Sequence, residues 1–71
     1  MNITNGTLEI YIENGVWMVH HGGQVGREVM DLFGTTEIPS PFTKSTSAAQ
    51  VITELADKNQ DCEVKLRGVN A

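Results

Sequence analysis

Cysteine is nearly absent from this 71-residue chain. The single Cys62 has no second cysteine with which to form an internal disulfide. One cysteine and two adjacent histidines also fall short of the ligand set of a structural zinc site. The N-terminal residues lack the basic and apolar stretches of a secretion signal. No run approaches the roughly 20 apolar residues that a membrane span needs. We therefore expect a cytoplasmic protein with no metal, no cofactor and no association with membranes.

Positive charge is also scarce. Five Lys or Arg residues against nine Asp or Glu residues give a net charge of -4, a sign that repels nucleic acid backbones. We therefore expect no nucleic acid partner. The length predicts one small domain spanning residues 1–71, with an ordered core over about residues 7–67 and frayed residues 68–71. A core of this size supplies only about 3–5 kcal/mol of folding stability without a disulfide or a bound metal. The chain therefore needs either an efficiently packed core or a partner.

A β-hairpin is predicted near the N-terminus. Residues 7–13 and 16–21 are rich in strand-forming residues, and residues 7–13 alternate strictly between apolar and polar. Asn14 and Gly15 between them suit a two-residue type I′ turn, which would place Glu13 opposite Val16. One face of the hairpin would then form the core: Leu8, Ile10, Ile12, Trp17, Val19 and His21. The opposite face would carry Glu9, Tyr11, Glu13, Val16, Met18 and His20.

A first helix is predicted from about residue 24 to residue 33, where Gly34 suits a left-handed C-terminal cap. Residues 35–44 contain Pro39 and Pro41, which favour an extended or turned connection rather than a helix. Ile38 and Phe42 would anchor that connection to the core. The buried stripe of the first helix would be Val25, Val29, Leu32 and Phe33.

A second helix is predicted to begin at Thr46 or Ser47, because Ser47 and Gln50 match a capping box, and to end near Asn59. Residues 62–67 alternate again and predict a final strand. The buried stripe of this helix would be Ala48, Val51, Ile52, Leu55 and Ala56.

The element order strand, strand, helix, helix, strand predicts a two-layer α+β fold. Its three-stranded, mainly antiparallel sheet would carry both helices on one face. We expect the third strand to lie beside the second and antiparallel to it. The alternative is an edge position beside the first strand.

Residues 32–43, LFGTTEIPSPFT, resemble a segment of small uncharacterised proteins encoded by bacteria, cyanobacteria and phages. In that family a hairpin containing a tryptophan leads to the pattern L-F-G-T-x-x-L/I-P-x-P/A-F, then a helix and a final strand. The resemblance covers residues 16–66 and implies a shared fold. It implies no activity and no site residue, because none is known for the family. The family's helix usually ends at Asn-Pro, whereas here Gln60 follows Asn59.

The outward face of the hairpin is the leading candidate site. Tyr11, Val16 and Met18 would be contiguous there, and His20 lies on the same face; polar residues around an apolar centre are typical of protein interfaces. We expect His20 to pair with Glu9, and an imidazole beside a carboxylate would have a raised pKa. The leading hypothesis is a non-enzymatic interaction module that binds a partner protein or itself, serving as an accessory protein of a phage or bacterial genome.

The alternative site is the passage from the second strand to the first helix. Gly22, Gly23 and Gly26 leave backbone N–H groups accessible there, and Arg27 could clamp a phosphate or carboxylate. The alternative function is therefore binding of a small anionic ligand or nucleotide. An enzyme is not expected, because the residues do not supply a nucleophile, a base and an oxyanion site together.

Overall fold

The fold is known from a computed structural model that describes residues 5–67, so the predicted fraying of residues 68–71 lies outside the described residues. The elements are β1 (Gly6–Glu13), β2 (Val16–Gly22), α1 (Gly23–Phe33), β3 (Glu37–Thr43), α2 (Ala48–Lys58) and β4 (Cys62–Leu66). They form a four-stranded sheet in the order β3-β2-β1-β4, in which only the β1–β4 pair is parallel. The predicted α+β class is confirmed, whereas the predicted three-stranded sheet is wrong.

The hairpin β1–β2 has the predicted turn and register. Asn14 and Gly15 adopt positive φ angles of 55° and 76°, as a type I′ turn requires. Glu13 pairs with Val16, and the pairing continues without a slip to Thr7 and Gly22. A two-residue loop leaves no freedom in the alignment, so the local sequence was sufficient to predict it.

Strand β3 is the element that the sequence pattern missed. It pairs antiparallel with β2 and has an irregular register between its pairings with Val16 and Met18. Pro39 and Pro41 lie within it, and they are tolerated because β3 is an edge strand with one row of backbone groups unpaired. The prolines therefore indicated an edge strand rather than a connection.

The expected place of the last strand is also wrong, because β3 occupies the position beside β2. Strand β3 ends at the hairpin turn, where Thr43 pairs with Val16. Strand β4 starts at the opposite end of the sheet, where Cys62 pairs with Gly6. Helix α2 therefore runs the length of the sheet and delivers β4 to the far edge, parallel to β1. This is the position named above as the alternative.

The core lies on one face of the sheet. Val25 of α1 and Val51 of α2 pack against the same buried cluster, which places both helices on that face as predicted. The Trp17 indole donates to the Thr46 carbonyl oxygen at 2.8 Å and so fixes the approach to α2. The buried hydrophobic residues are Leu8, Ile10, Trp17, Val19 and Val51.

Helix boundaries follow the predicted caps. The Ser47 hydroxyl accepts from the Gln50 N–H, and Gly34 adopts the left-handed conformation at the end of α1. None of the helices in residues 5–67 has the length and apolar character needed to cross a membrane.

Four predicted core residues are exposed instead, and one of them is Ala56 on α2. Leu32 and Phe33 in the last turn of α1 are 76% and 66% exposed, and Ile12 near the hairpin turn is 47% exposed. Helix α1 leaves and returns to one end of the sheet, and its buried residue is Gly26 in the first half. Only the first half of helix α1 therefore packs closely against the sheet. Ile12 lies past the end of β4, whose last pairing is with Ile10.

Candidate functional site

The outer face is defined here as the sheet surface opposite the helices. It includes the four predicted partner-binding residues, Tyr11, Val16, Met18 and His20, each of which is half-buried. Met18 lies between Tyr11 of β1 and Pro39 of β3 in the register, so the apolar strip crosses three strands. The predicted contiguity of Tyr11 with Met18 is confirmed by their pairing.

Glu37 organises the polar side of the outer face. Its carboxylate accepts from the Tyr11 hydroxyl at 2.6 Å and from the Thr36 hydroxyl at 2.9 Å. The His20 Nδ1 also donates to it. Glu37 is the first residue of β3 and pairs with His20 in the register, so strand pairing brings these groups together. Three donors from three segments thus converge on one carboxylate.

The charge of Glu37 is stabilised by these donors. Burial acts to raise the pKa of Glu37, but hydrogen bonds from Tyr11, His20 and Thr36 outweigh it and lower the pKa to about 2. The same hydrogen bond raises the pKa of Tyr11, because it favours the neutral phenol. At neutral pH the cluster therefore holds an ionised carboxylate beside a protonated tyrosine.

Arg67 contacts the cluster through Glu9 and the Tyr11 ring. Its Nε donates to the Glu9 carboxylate at 2.7 Å, and its guanidinium carbon lies 4.1 Å from the centroid of the Tyr11 ring. The hydrogen bond lowers the pKa of Glu9 and raises that of Arg67. Arg67 follows β4 directly, so the parallel pairing of β4 with β1 places this cation on the outer face.

His20 and Glu9 do not form the predicted side-chain contact. The two residues are opposite each other in the register, but their side chains turn to different partners. Glu37 accepts from His20, and Arg67 donates to Glu9. The sequence pattern missed both partners because Glu37 belongs to the unpredicted strand and Arg67 depends on the position of β4.

The hydrogen bond between Glu37 and His20 resembles one part of a catalytic triad. A carboxylate that orients a histidine is one part of a catalytic triad. Within residues 5–67, however, His20 has no hydrogen bond to a serine, threonine or cysteine. Burial raises the pKa of Cys62, and the nearby Asp61 raises it further. The reactive thiolate form of Cys62 is therefore disfavoured. The described part of the chain also contains no cluster of metal-ligating side chains.

A groove of about 370 Å³ lies between α1 and the end of β2. Its walls are mostly apolar, and its volume is within the range of small-molecule sites. All four residues of the predicted ligand site line it. The full lining is His21, Gly22, Gly23, Gly26, Arg27, Met30, Asp31 and Thr36.

Gly26 lines this groove and allows α1 to approach the end of β2 closely. A Cβ added at Gly26 would lie 2.6 Å from the His21 carbonyl oxygen, so only glycine fits there. His21 and Thr36 both line the groove, and the His21 Nδ1 donates to the Thr36 carbonyl oxygen at 3.1 Å. Arg27 is exposed at the rim and makes no salt bridge to any residue in 5–67.

No family model, curated protein or solved structure matches the chain. The resemblance of residues 32–43 to small bacterial, cyanobacterial and phage proteins therefore stays a prediction.

Proposed function

We propose that the protein is a non-enzymatic interaction module that binds a partner protein through the outer face. The observation that carries the proposal is an apolar strip that no helix covers within residues 5–67, lying beside an ordered polar cluster. Met18 and Val16 supply the apolar part, and Tyr11 joins it to the polar part. This combination of an apolar centre and polar rim is typical of protein interfaces.

The order of the cluster supports this proposal. Tyr11 is held at its hydroxyl by Glu37 and at its ring by Arg67, and His20 is held by Glu37. Side chains that are already fixed lose less conformational entropy when a partner binds. Tyrosine and arginine are also enriched among residues that dominate binding energy. The outer face therefore combines suitable residue types with low ordering cost.

The decisive variant is Met18→Glu, because Met18 is at the centre of the apolar strip and makes no hydrogen bond of its own to the cluster. We expect a partner retained from a lysate of the native host by the wild type to be lost by Met18→Glu. A charge introduced at the centre of a desolvated interface costs roughly 2 kcal/mol or more, which is a loss of at least about 30-fold in affinity.

Leu32→Glu provides the matched control, since it adds the same charge to an exposed apolar residue on α1. It should retain the partner, and both variants should unfold at a temperature close to that of the wild type. Retention by Met18→Glu with loss by Leu32→Glu would instead place the interface on α1. Retention by both variants would exclude the outer face.

A second candidate function is binding of a small anionic molecule in the groove. It is supported by the presence of Gly22, Gly23, Gly26 and Arg27 around one cavity. The apolar walls favour a ligand with an apolar body, and Arg27 could bind its phosphate or carboxylate. Asp31 on the same wall would oppose an anion, so affinity should be modest.

Amide chemical shifts test this candidate. Titration with inorganic phosphate, AMP and ATP should shift the amides of residues 22–27, and Arg27→Gln should weaken the response. Asp31→Asn should strengthen it, because it removes a like charge from the groove. If the shifts stay flat at millimolar concentrations of all three compounds, phosphate-bearing ligands are excluded.

A further inference from the structure

The two edges of the sheet are protected to very different degrees. Strand β3 forms one edge and carries Pro39 and Pro41, which lack N–H groups, together with an irregular register. These features block pairing with another strand. Strand β4 forms the other edge with five residues and no proline. The β3 edge is therefore closed to further strands, whereas no strand within residues 5–67 pairs with the outer side of β4, which is called the open edge below.

The open edge of β4 presents regular backbone groups. The Arg67 N–H donates to the Ile10 carbonyl oxygen at 2.9 Å, so the backbone of Arg67 faces β1. Residues two apart in a strand direct these groups to the same side. Glu63 and Lys65 therefore also face β1, whereas Val64 and Leu66 direct their N–H and C=O groups away from the sheet. No strand within residues 5–67 lies beside them.

We propose that β4 pairs antiparallel with β4 of a second copy of this chain, with Val64 of each copy at the twofold axis. The Val64 residues then exchange two hydrogen bonds, and each Leu66 N–H donates to the Cys62 carbonyl oxygen of the other copy. The Cys62 N–H is already used by Asn59 within the chain, at 2.9 Å. The two sheets become continuous, as in other cases of edge-strand pairing.

Charge complementarity selects this register. With Val64 opposite Val64, Glu63 of each copy lies opposite Lys65 of the other, on the outer face. Both side chains are exposed and neither forms a salt bridge within residues 5–67, so both are available. A shift of the pairing by two residues places Glu63 opposite Glu63 or Lys65 opposite Lys65. Opposite charges across a strand pair stabilise it, and like charges destabilise it.

A one-residue shift is excluded by the backbone. It would place Val64, whose backbone groups face outward, opposite a residue whose groups are already directed to β1. Homodimeric pairing at this edge therefore has one register that satisfies both hydrogen bonding and charge. The inference does not depend on the function proposed for the outer face.

Single charge reversals test the pairing. Sedimentation equilibrium of the full chain should show a dimer of the wild type between micromolar and millimolar concentrations. Glu63→Lys or Lys65→Glu alone should each raise the dissociation constant on the order of tenfold, because each places two like-charged pairs across the interface. The double variant Glu63→Lys/Lys65→Glu should recover the wild-type constant.

Mixing the single variants gives a sharper result. In a heterodimer of Glu63→Lys with Lys65→Glu, both cross-strand pairs again have opposite charges. Adding unlabelled Lys65→Glu to ¹⁵N-labelled Glu63→Lys should therefore shift the amides of Val64 and Leu66. Adding unlabelled Glu63→Lys to the same sample should shift them much less.

Asp57→Lys and Lys44→Glu are the controls, because they change the net charge equally at exposed residues away from β4. Both should dimerise as the wild type does, and so should Met18→Glu. A wild type that is monomeric at millimolar concentration overturns the proposal. A dimer that resists the β4 reversals but is lost in Met18→Glu also overturns it, and would show self-association through the outer face.

Discussion

Glu37 connects the folding of β3 to the chemistry of the outer face. Its carboxylate is about one-third exposed, yet it accepts hydrogen bonds from Tyr11, His20 and Thr36. These donors come from β1, β2 and the segment before β3, so the carboxylate joins three parts of the chain. Because an ionised acceptor makes stronger hydrogen bonds than a neutral one, the contribution of this cluster depends on the charge of Glu37.

Acidification should therefore weaken the fold through Glu37. Its pKa is lowered from 4.5 to about 2, so the unfolded chain takes up this proton at a higher pH than the folded chain. The stabilisation is present above the ordinary pKa and is lost as the pH falls from about 5 to about 2. At neutral pH, Glu37→Gln should lower the free energy of unfolding by about 1 kcal/mol after solvent screening. Urea unfolding at several pH values measures this difference, which should shrink towards pH 2.

Glu28→Gln is the control, because it neutralises an exposed carboxylate on α1 that has no hydrogen bond to other side chains in residues 5–67. Its unfolding free energy should follow the wild type at every pH. A Glu37→Gln deficit that stays constant across the acid range would mean that shape, and not charge, explains the role of Glu37.

Helix α1 packs closely against the sheet at Gly26, which has no side chain. Alanine normally stabilises a helix relative to glycine by about 1 kcal/mol. At Gly26 the added methyl group would lie 2.6 Å from the His21 carbonyl oxygen, which is backbone and cannot move aside. Gly26→Ala should therefore destabilise the fold by about 1–3 kcal/mol, as overpacked sites do. Chemical denaturation measures this loss.

Gln24→Ala places an alanine at an exposed position of α1, and it should change stability by less than about 0.5 kcal/mol. If Gly26→Ala matched it, α1 would not be packed as closely as described. The groove beside Gly26 should also respond, because a displaced α1 changes the distance between Arg27 and Thr36.

Structural features that depend on a few neighbouring residues could be predicted from the sequence. Features that depend on pairing between strands far apart in the chain could not. The turn at Asn14 and Gly15 and the cap at Ser47 are encoded within a few residues, and both have the predicted geometry. Strand β3 was missed because prolines are acceptable only at an edge, and the sheet order was not known from the sequence. The candidate sites divide in the same way: the hairpin register placed Tyr11 beside Met18, but the role of Glu37 required β3.

Within residues 5–67 the molecule has a small core of five buried hydrophobic residues, and its single cysteine forms no disulfide. Its only described cysteine, Cys62, is free and half-buried at the start of β4. A domain of this size gains stability when it associates, because only the folded chain can present an ordered edge. Pairing of β4 would also place the two outer faces side by side, which would give a bound partner two copies of the apolar strip.

Association through β4 predicts that stability depends on protein concentration. The free energy gained by the folded state rises with the concentration of the second copy, so the unfolding temperature of the wild type should increase between micromolar and millimolar samples. Glu63→Lys should remove most of this increase while leaving the unfolding temperature of dilute samples near that of the wild type, because its side chain is exposed. Differential scanning calorimetry at matched concentrations measures both effects. An unfolding temperature independent of concentration in the wild type would show that the folded chain stays monomeric and that β4 remains an open edge.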